Sequence, residues 1–414
     1  MRSSLTFICF LMVSFFQSVP ILAQDTIIVR GQVVEADSNN PIPFATVEVC
    51  GTSVGTVANE EGLFRFSVES NRGDSLCVHS VGYEYGYYPV PEKSSNTPLT
   101  LTLVSSTKML TEVVVGDMKI TPERILKKAA QNVRKNYPQK PFALKGYYRD
   151  YLRKKKGGYI CFLEGAMDML DPGFRKPDDK IEVRMEQIRL SDSYEKNYKK
   201  YVKEYEHDTS KILLHGVLPS LRGNEFASMI FHDPLRNHGR SVPFMGTFDT
   251  MWNSSYYFEL DYYTYIGEDE VYVISIQPNP SLNYWHVDVK GQIFVRVKDH
   301  AVMKINYKYF VTKKLDKQKW YELNLEYQDI DGLMYLKYLS YMNYFKIFNG
   351  EEIAEISQYR EFFVNDVILQ EDKELESVGV RVDMDKPLYT QSVKEIPNFW
   401  DHYNYLLLGQ PLMD

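Results

Sequence analysis

The chain is poor in the residues that build metal, redox and nucleotide sites. Its 4 cysteines form no C-x-x-C pair, no H-E-x-x-H run occurs, and no glycine-rich phosphate loop is present. No zinc site and no cofactor is therefore expected. Positive charge is also in deficit: 48 Lys and Arg stand against 55 Asp and Glu, a net charge of -7. The longest run of lysines is only Lys154–Lys156, extended by Arg153 alone, which argues against nucleic acid as a partner. Beyond the first two dozen residues no charge-free stretch reaches the roughly 20 residues of a membrane helix. Tryptophan is scarce at 4, but 32 Tyr and 22 Phe are present. Tyrosine suits sheet faces where the ring packs and the hydroxyl stays near water.

Residues 1–23 read as a secretory leader, with Arg2 at the start, an apolar core from Leu5 to Phe16, and Ile21-Leu22-Ala23 before the cut. Cys9 lacks the preceding lipoprotein pattern, so no lipid anchor is expected. Removing Arg2 and no acid takes the net charge from -7 to -8. The mature chain is expected in the periplasm or at the outer membrane, without a membrane-spanning helix. It keeps Cys50, Cys77 and Cys161. The odd count reads as buried thiols rather than a disulfide framework. Cys50 and Cys77 pair only if their strands are neighbours.

Short runs of Val, Ile and Phe then alternate with turn clusters about every ten residues, the pattern of a small antiparallel sandwich. Asn39 to Pro41 and Glu60 to Gly62 are turns; Ala45, Val47 and Val49 alternate with Thr46, Glu48 and Cys50; Leu99, Leu101 and Leu103 form a closing strand. Gly31, Pro41 to Pro43, Ala45 to Val49, Gly55-Thr56, Asn59 to Gly62, Phe64 and Val81 to Tyr83 resemble the carboxypeptidase regulatory-like domain of exported Bacteroidetes proteins. The resemblance implies a transthyretin-like sandwich of seven strands that holds no catalytic residue. In TonB-dependent receptors the module precedes the plug, and Leu110 to Val115 resembles that junction. Too few residues follow for a plug and a 22-stranded barrel.

The expected organisation is a sandwich at 24–105, a linker at 106–120 and an α+β domain with a large curved antiparallel sheet at 121–414, mainly β throughout. Thr121 caps a helix that starts at Pro122 and ends at Tyr137-Pro138, with Ile125, Leu126, Ala129, Val133 and Tyr137 on one side. Leu144–Arg153 and Tyr159–Met169 flank a charged hairpin tip. Ser191–Lys211 reads as the least ordered part, and Ile212–Ile230 as one or two short helices. In Val302–Tyr309 and Trp320–Tyr327 apolar residues alternate with Lys304, Asn306, Lys308, Glu322, Asn324 and Glu326, giving one apolar and one wet face. The order of helix and meander, with Val271–Ile276 and Pro278, then Gly291–Val295 and Val302–Ile305, resembles the half-barrel of periplasmic lipoprotein carriers.

Candidate chemistry is sparse. Gly51 to Gly55 matches the G-x-S-x-G letters, but strand signals lie on both sides of Ser53 and the motif needs a helix after it. Glu322 and Glu326 share a face and read as wetted sheet rather than a glycosidase pair. His232, Asp233 and His238, beside Arg236 and Arg240, form the densest polar cluster, in a loop without metal-ligand spacing.

The expected function is therefore a non-enzymatic envelope protein with a binding or scaffold role. It would carry an apolar ligand against Tyr307, Tyr309, Tyr321 and Tyr327, or dock to an outer-membrane complex through Leu110–Val115. The alternative is a hydrolase of glycans or peptides that uses the His232 loop.

Overall fold

The computed structural model describes residues 26–52, 54–69, 74–94, 97–106, 120–155, 158–175, 180–200, 212–214, 226, 229–230, 233–236, 256–279, 287–313, 316–348, 353–369 and 379–407. The leader, Leu110–Val115, Ser53, His232 and His238 lie outside these residues.

The first seven strands are β1 (Thr26–Glu35), β2 (Thr46–Val49), β3 (Gly55–Val57), β4 (Leu63–Glu69), β5 (Ser75–His79), β6 (Gly86–Pro89) and β7 (Leu99–Leu103). They form two sheets, in the orders β4-β1-β7 and β3-β2-β5-β6. The closing strand β7 runs parallel to β1, and the other pairs are antiparallel. Alternating residues of both sheets meet in a dry core that includes Val29, Val33, Val47, Phe64, Phe66 and Leu101. The turn at Glu60–Gly62 works as its composition requires. Gly62 takes a positive φ of 70°, and Asn59 Oδ1 accepts from the backbone N–H groups of Glu61 and Leu63.

Cys50 and Cys77 are joined by a disulfide, with Cα atoms 5.0 Å apart, which corrects the free-thiol expectation. The β2–β5 register places Glu48 opposite Cys77, and the Cys50 N–H donates to the Ser75 carbonyl one step further on. Strand adjacency decides the pairing, and spacing in the chain does not reveal it. Cys161 remains free and buried.

The second body begins with α1 (Pro122–Asn136). Thr121 Oγ1 accepts from the Arg124 N–H, a cap of about 1 kcal/mol, and the five expected apolar positions are all buried. The remaining elements are β8 (Phe142–Lys154), β9 (Tyr159–Asp171), β10 (Glu182–Leu190), α2 (Tyr194–Tyr198), β11 (Ile212–Leu214), β12 (Tyr256–Ile266), β13 (Asp269–Pro278), β14 (Val287–Arg296), β15 (Val302–Lys313), β16 (Asp316–Ile330), β17 (Leu333–Phe348), β18 (Ile353–Leu369), β19 (Val380–Arg381) and α3 (Phe399–His402). They build one antiparallel sheet in the order β12-β13-β14-β15-β16-β17-β18-β8-β9-β10-β19, with β11 on β17. Two local expectations differ. The polar run after Ser191 holds α2, whose Tyr194 and Tyr198 stack together and on Tyr389. Ile212–Leu214 pairs with β17 rather than coiling, a tertiary override of local propensity.

Both faces of this sheet are covered. On one, Ile305, Leu323, Leu325, Leu339 and Phe362 pack with the apolar stripe of α1 and with Phe226, Met229 and Leu235. On the other lie the sandwich and a C-terminal strap. Val57 of the sandwich, Tyr147, Tyr338 and Phe363 of the sheet and Leu406 of the strap form a small second core. The expected wet face is thus partly roofed. Among the described residues no helix is long and apolar enough to cross a membrane.

Candidate functional site

The polar positions of the meander fall into register across the sheet. Asn306, Asn324, Ser340, Glu361, Arg149 and Glu164 are cross-strand neighbours on β15, β16, β17, β18, β8 and β9. Strict alternation puts such neighbours on one face, and this face looks toward the sandwich. Where the two bodies do not touch, the described residues enclose clefts that include one of about 380 Å³ and one of about 540 Å³.

The smaller cleft has a neutral floor and charged flanks. Asn306, Asn324 and Ser340 line its middle, and Asn324 Nδ2 donates to Ser340 Oγ at 3.0 Å. On one flank Lys304 Nζ donates to Glu326 Oε2 at 3.1 Å. On the other, Glu322 receives Lys308 at 3.8 Å, Lys319, and the Tyr344 hydroxyl at 2.9 Å. Tyr151 and Tyr359, neighbours on β8 and β18, stack with ring centres 4.7 Å apart and an interplanar angle of 7°, and Tyr159 meets Tyr151 edge-on at 5.1 Å. The roof is the sandwich segment Val57–Glu61 with Phe44. Phe44 has φ 58° and is 44% exposed. A bulky residue in the left-handed region is uncommon and costs local strain.

One end wall is a buried ion pair. Arg149 donates through Nε and Nη2 to Glu361 Oε2 at 2.8 and 2.5 Å. Its Nη1 reaches the carbonyls of Leu406 and Leu407 in the strap, and Tyr338 donates to Glu361 Oε1 at 2.7 Å. The strap also ties to the sandwich: Arg65 donates to the Asp401 carbonyl and the Ser67 N–H to Asn404 Oδ1.

The larger cleft runs along a charged contact between the bodies. Glu48 of β2 lies 3.5 Å from the buried Lys337 and 3.8 Å from His79, while Thr46 Oγ1 donates to Glu326 at 3.3 Å. Burial works to raise the Glu48 carboxyl, but the His79 hydrogen bond and the Lys337 charge outweigh it and hold the group below its usual range. Glu326 is lowered in the same balance, by Lys304 and His79 against burial. Burial pushes the Lys337 ammonium down, opposed by Glu48 and Glu326.

The side chains singled out from sequence pack mainly into the apolar core, although Tyr307 also contributes to the smaller cleft and Tyr327 to the larger. Tyr307, Tyr321 and Tyr327 are buried in the main core and Tyr309 is half-buried against it. Tyr309 stacks on Tyr321 at 4.8 Å, and Tyr321 meets Tyr307 and Tyr341. Asp233 is brought to Tyr327, whose hydroxyl donates to Asp233 Oδ1 at 2.8 Å. That oxygen also accepts from the N–H groups of Leu235 and Arg236, and burial raises the carboxyl. Arg236 donates to Asp171 Oδ2 at 2.5 Å. This loop is built to cap the apolar face. Among the described residues no group of three His, Cys, Asp or Glu is placed to hold a metal ion. Sequence reading saw Asn306, Asn324, Lys304 and Glu326 but assigned them to water; it did not single out Phe44, Arg149, Tyr151 or Tyr359.

The segment that roofs the cleft is similar to a known domain family. Residues 29–115 match the CarboxypepD_reg-like domain. In this chain the regulatory-like domain supplies Phe44, Glu48, Val57–Glu61 and His79 to the clefts. No curated protein matches the sequence. Among solved structures, a DUF1329 family protein from Desulfovibrio piger aligns at 8% identity over 60% of this chain and 93% of its own, with a TM-score of 0.25. A structure of lipid–protein interactions in lipovitellin aligns at 10% identity over 58% of this chain and 27% of its own, with a TM-score of 0.22. At TM-scores this low neither likeness bears on what this chain binds.

Proposed function

We propose that the chain is an exported, non-enzymatic binding protein of the cell envelope that holds a polar ligand between its regulatory-like domain and the polar face of its large sheet. Export rests on the leader at residues 1–23. The observation that carries the binding role is the smaller cleft. Its volume of about 380 Å³ falls in the range of small-molecule sites, which combine aromatic walls with a few placed polar groups. The sheet's other face serves an apolar cargo less well, because Tyr307, Tyr321 and Tyr327 are already covered by neighbouring side chains.

Native mass spectrometry of the gently purified secreted protein tests this reading. A co-purifying species is expected in the wild type and absent from Ser340→Trp, whose side chain would fill the floor. An empty wild type, or a species retained equally by Ser340→Trp, overturns it.

A further inference from the structure

The chemistry of the cleft also names its ligand class. Building on the binding role above, we propose that the smaller cleft takes a neutral oligosaccharide.

Charge balance comes first. Arg153 and Arg360 also line the cleft and are matched in number by Glu60 and Glu61; Lys304 faces Glu326, Lys308 and Lys319 face Glu322, and Arg149 is held by Glu361. These flanking and end-wall cations already have carboxylate partners, so an anionic ligand would have to compete with Glu322, Glu326 and Glu361. A cationic ligand would compete with the paired Lys and Arg in the same way. A neutral ligand leaves these pairs intact.

The floor then presents Asn306, Asn324 and Ser340 on three successive strands. Amides and hydroxyls both donate and accept, which is what a sugar hydroxyl offers in return. Neighbouring strands are spaced by roughly 4.8 Å, close to the length of one hexose unit, so successive sugars can meet successive strands. A peptide would seek an open strand edge for its backbone ladder, but this floor lies in the interior of the sheet, between β14 and β18.

The aromatic groups complete the match. Tyr151, Tyr159 and Tyr359 stand at one side and Phe44 at the rim. A sugar ring has an apolar C–H face that lies against an aromatic ring, while its hydroxyls point outward to polar groups. Phe44 adds a large, substantially exposed aromatic side chain to the lining of both clefts, held in left-handed backbone.

The test is calorimetric titration of the mature wild type with cellohexaose, laminarihexaose, mannohexaose and chitohexaose, beside hexagalacturonate and a neutral hexapeptide. At least one neutral hexaose is expected to bind. Its Kd should rise about tenfold or more in Asn306→Ala, which loses a hydrogen bond, and in Phe44→Asn. Asparagine is tolerated in left-handed backbone, so Phe44→Asn should keep the wild-type unfolding midpoint or exceed it, separating loss of stacking from loss of fold. No binding by any neutral hexaose, unchanged affinity in both variants, or equal binding of hexagalacturonate or the hexapeptide overturns the assignment. If the co-purifying species persists while the hexaoses fail, the ligand class falls and the cleft stands. If both fail, both fall.

Discussion

Lys337 Nζ lies 3.5 Å from Glu48 Oε2 and joins the centre of the large sheet to the sandwich. Lys337 is only 2% exposed, so its charge depends on partners. Glu48→Gln should therefore destabilise the protein by about 2 kcal/mol, below the 3–5 of a fully buried pair because Glu48 keeps some contact with water. Lys337→Met in the Glu48→Gln background should recover most of that loss. Urea unfolding of the single and double variants measures both changes, and a double variant weaker than Glu48→Gln alone refutes the pairing.

The same contact sets an acid response. Glu48 and Glu326 lie below the usual carboxylate range when folded, so the unfolded chain binds the extra protons. Their stabilisation is complete above about pH 4.5 and is lost as pH falls through the folded values. Asp171 and Asp233 are raised by burial and carry the opposite sign, gaining stability on acidification. Whole-molecule unfolding mixes the two, whereas hydrogen exchange separates them by region. Exchange in β2 and β5 should speed up on acidification beyond its intrinsic pH dependence, and less steeply in Glu48→Gln.

The Cys50–Cys77 disulfide closes a separation of 27 residues, which in the chain-entropy account is worth roughly 3 kcal/mol. Cys50→Ser should lower stability by about that amount, and a reducing agent should then have no further effect. Burial pushes the Cys161 thiol upward, so the folded mature protein should resist a thiol reagent. Denaturation without reductant should release a single reactive group, by reagent absorbance.

Arg149 holds the strap through the Leu406 and Leu407 carbonyls while pairing with Glu361. Arg149→Met leaves Glu361 buried beside the Tyr338 hydroxyl alone and should cost about 3 kcal/mol. The strap should become sensitive to limited proteolysis near Phe399–Leu407. Wild-type cleavage kinetics in Arg149→Met would refute the role.

Elements governed by local periodicity were legible in the sequence. The helix behind Thr121, the β15–β16 alternation and the turn at Glu60–Gly62, where Gly62 has a positive φ, follow from capping, pleating and backbone sterics that act within a few residues. What was not legible depends on distant neighbours. Alternation marks Asn324 and Glu326 as facing away from the apolar core, but the sandwich that covers them is supplied by Thr46 and Phe44, some 280 residues earlier. Cys50 met Cys77 only through the β2–β5 register. Arg149 looked like an ordinary strand cation until Glu361 was placed opposite it. The polar stretch around Tyr194 hid α2 because its stacking partner Tyr389 lies far along the chain.

The junction of β8 with β18 has a consequence for synthesis. Arg149 and Glu361 sit 212 residues apart, so the β8–β10 segment leaves the ribosome long before the strand that shields its edge exists. Such non-local pairing slows folding and leaves an open edge exposed to other chains. A holding chaperone would shorten that hazard, and C-terminal truncations before Ile353 should accumulate as aggregates rather than as soluble fragments.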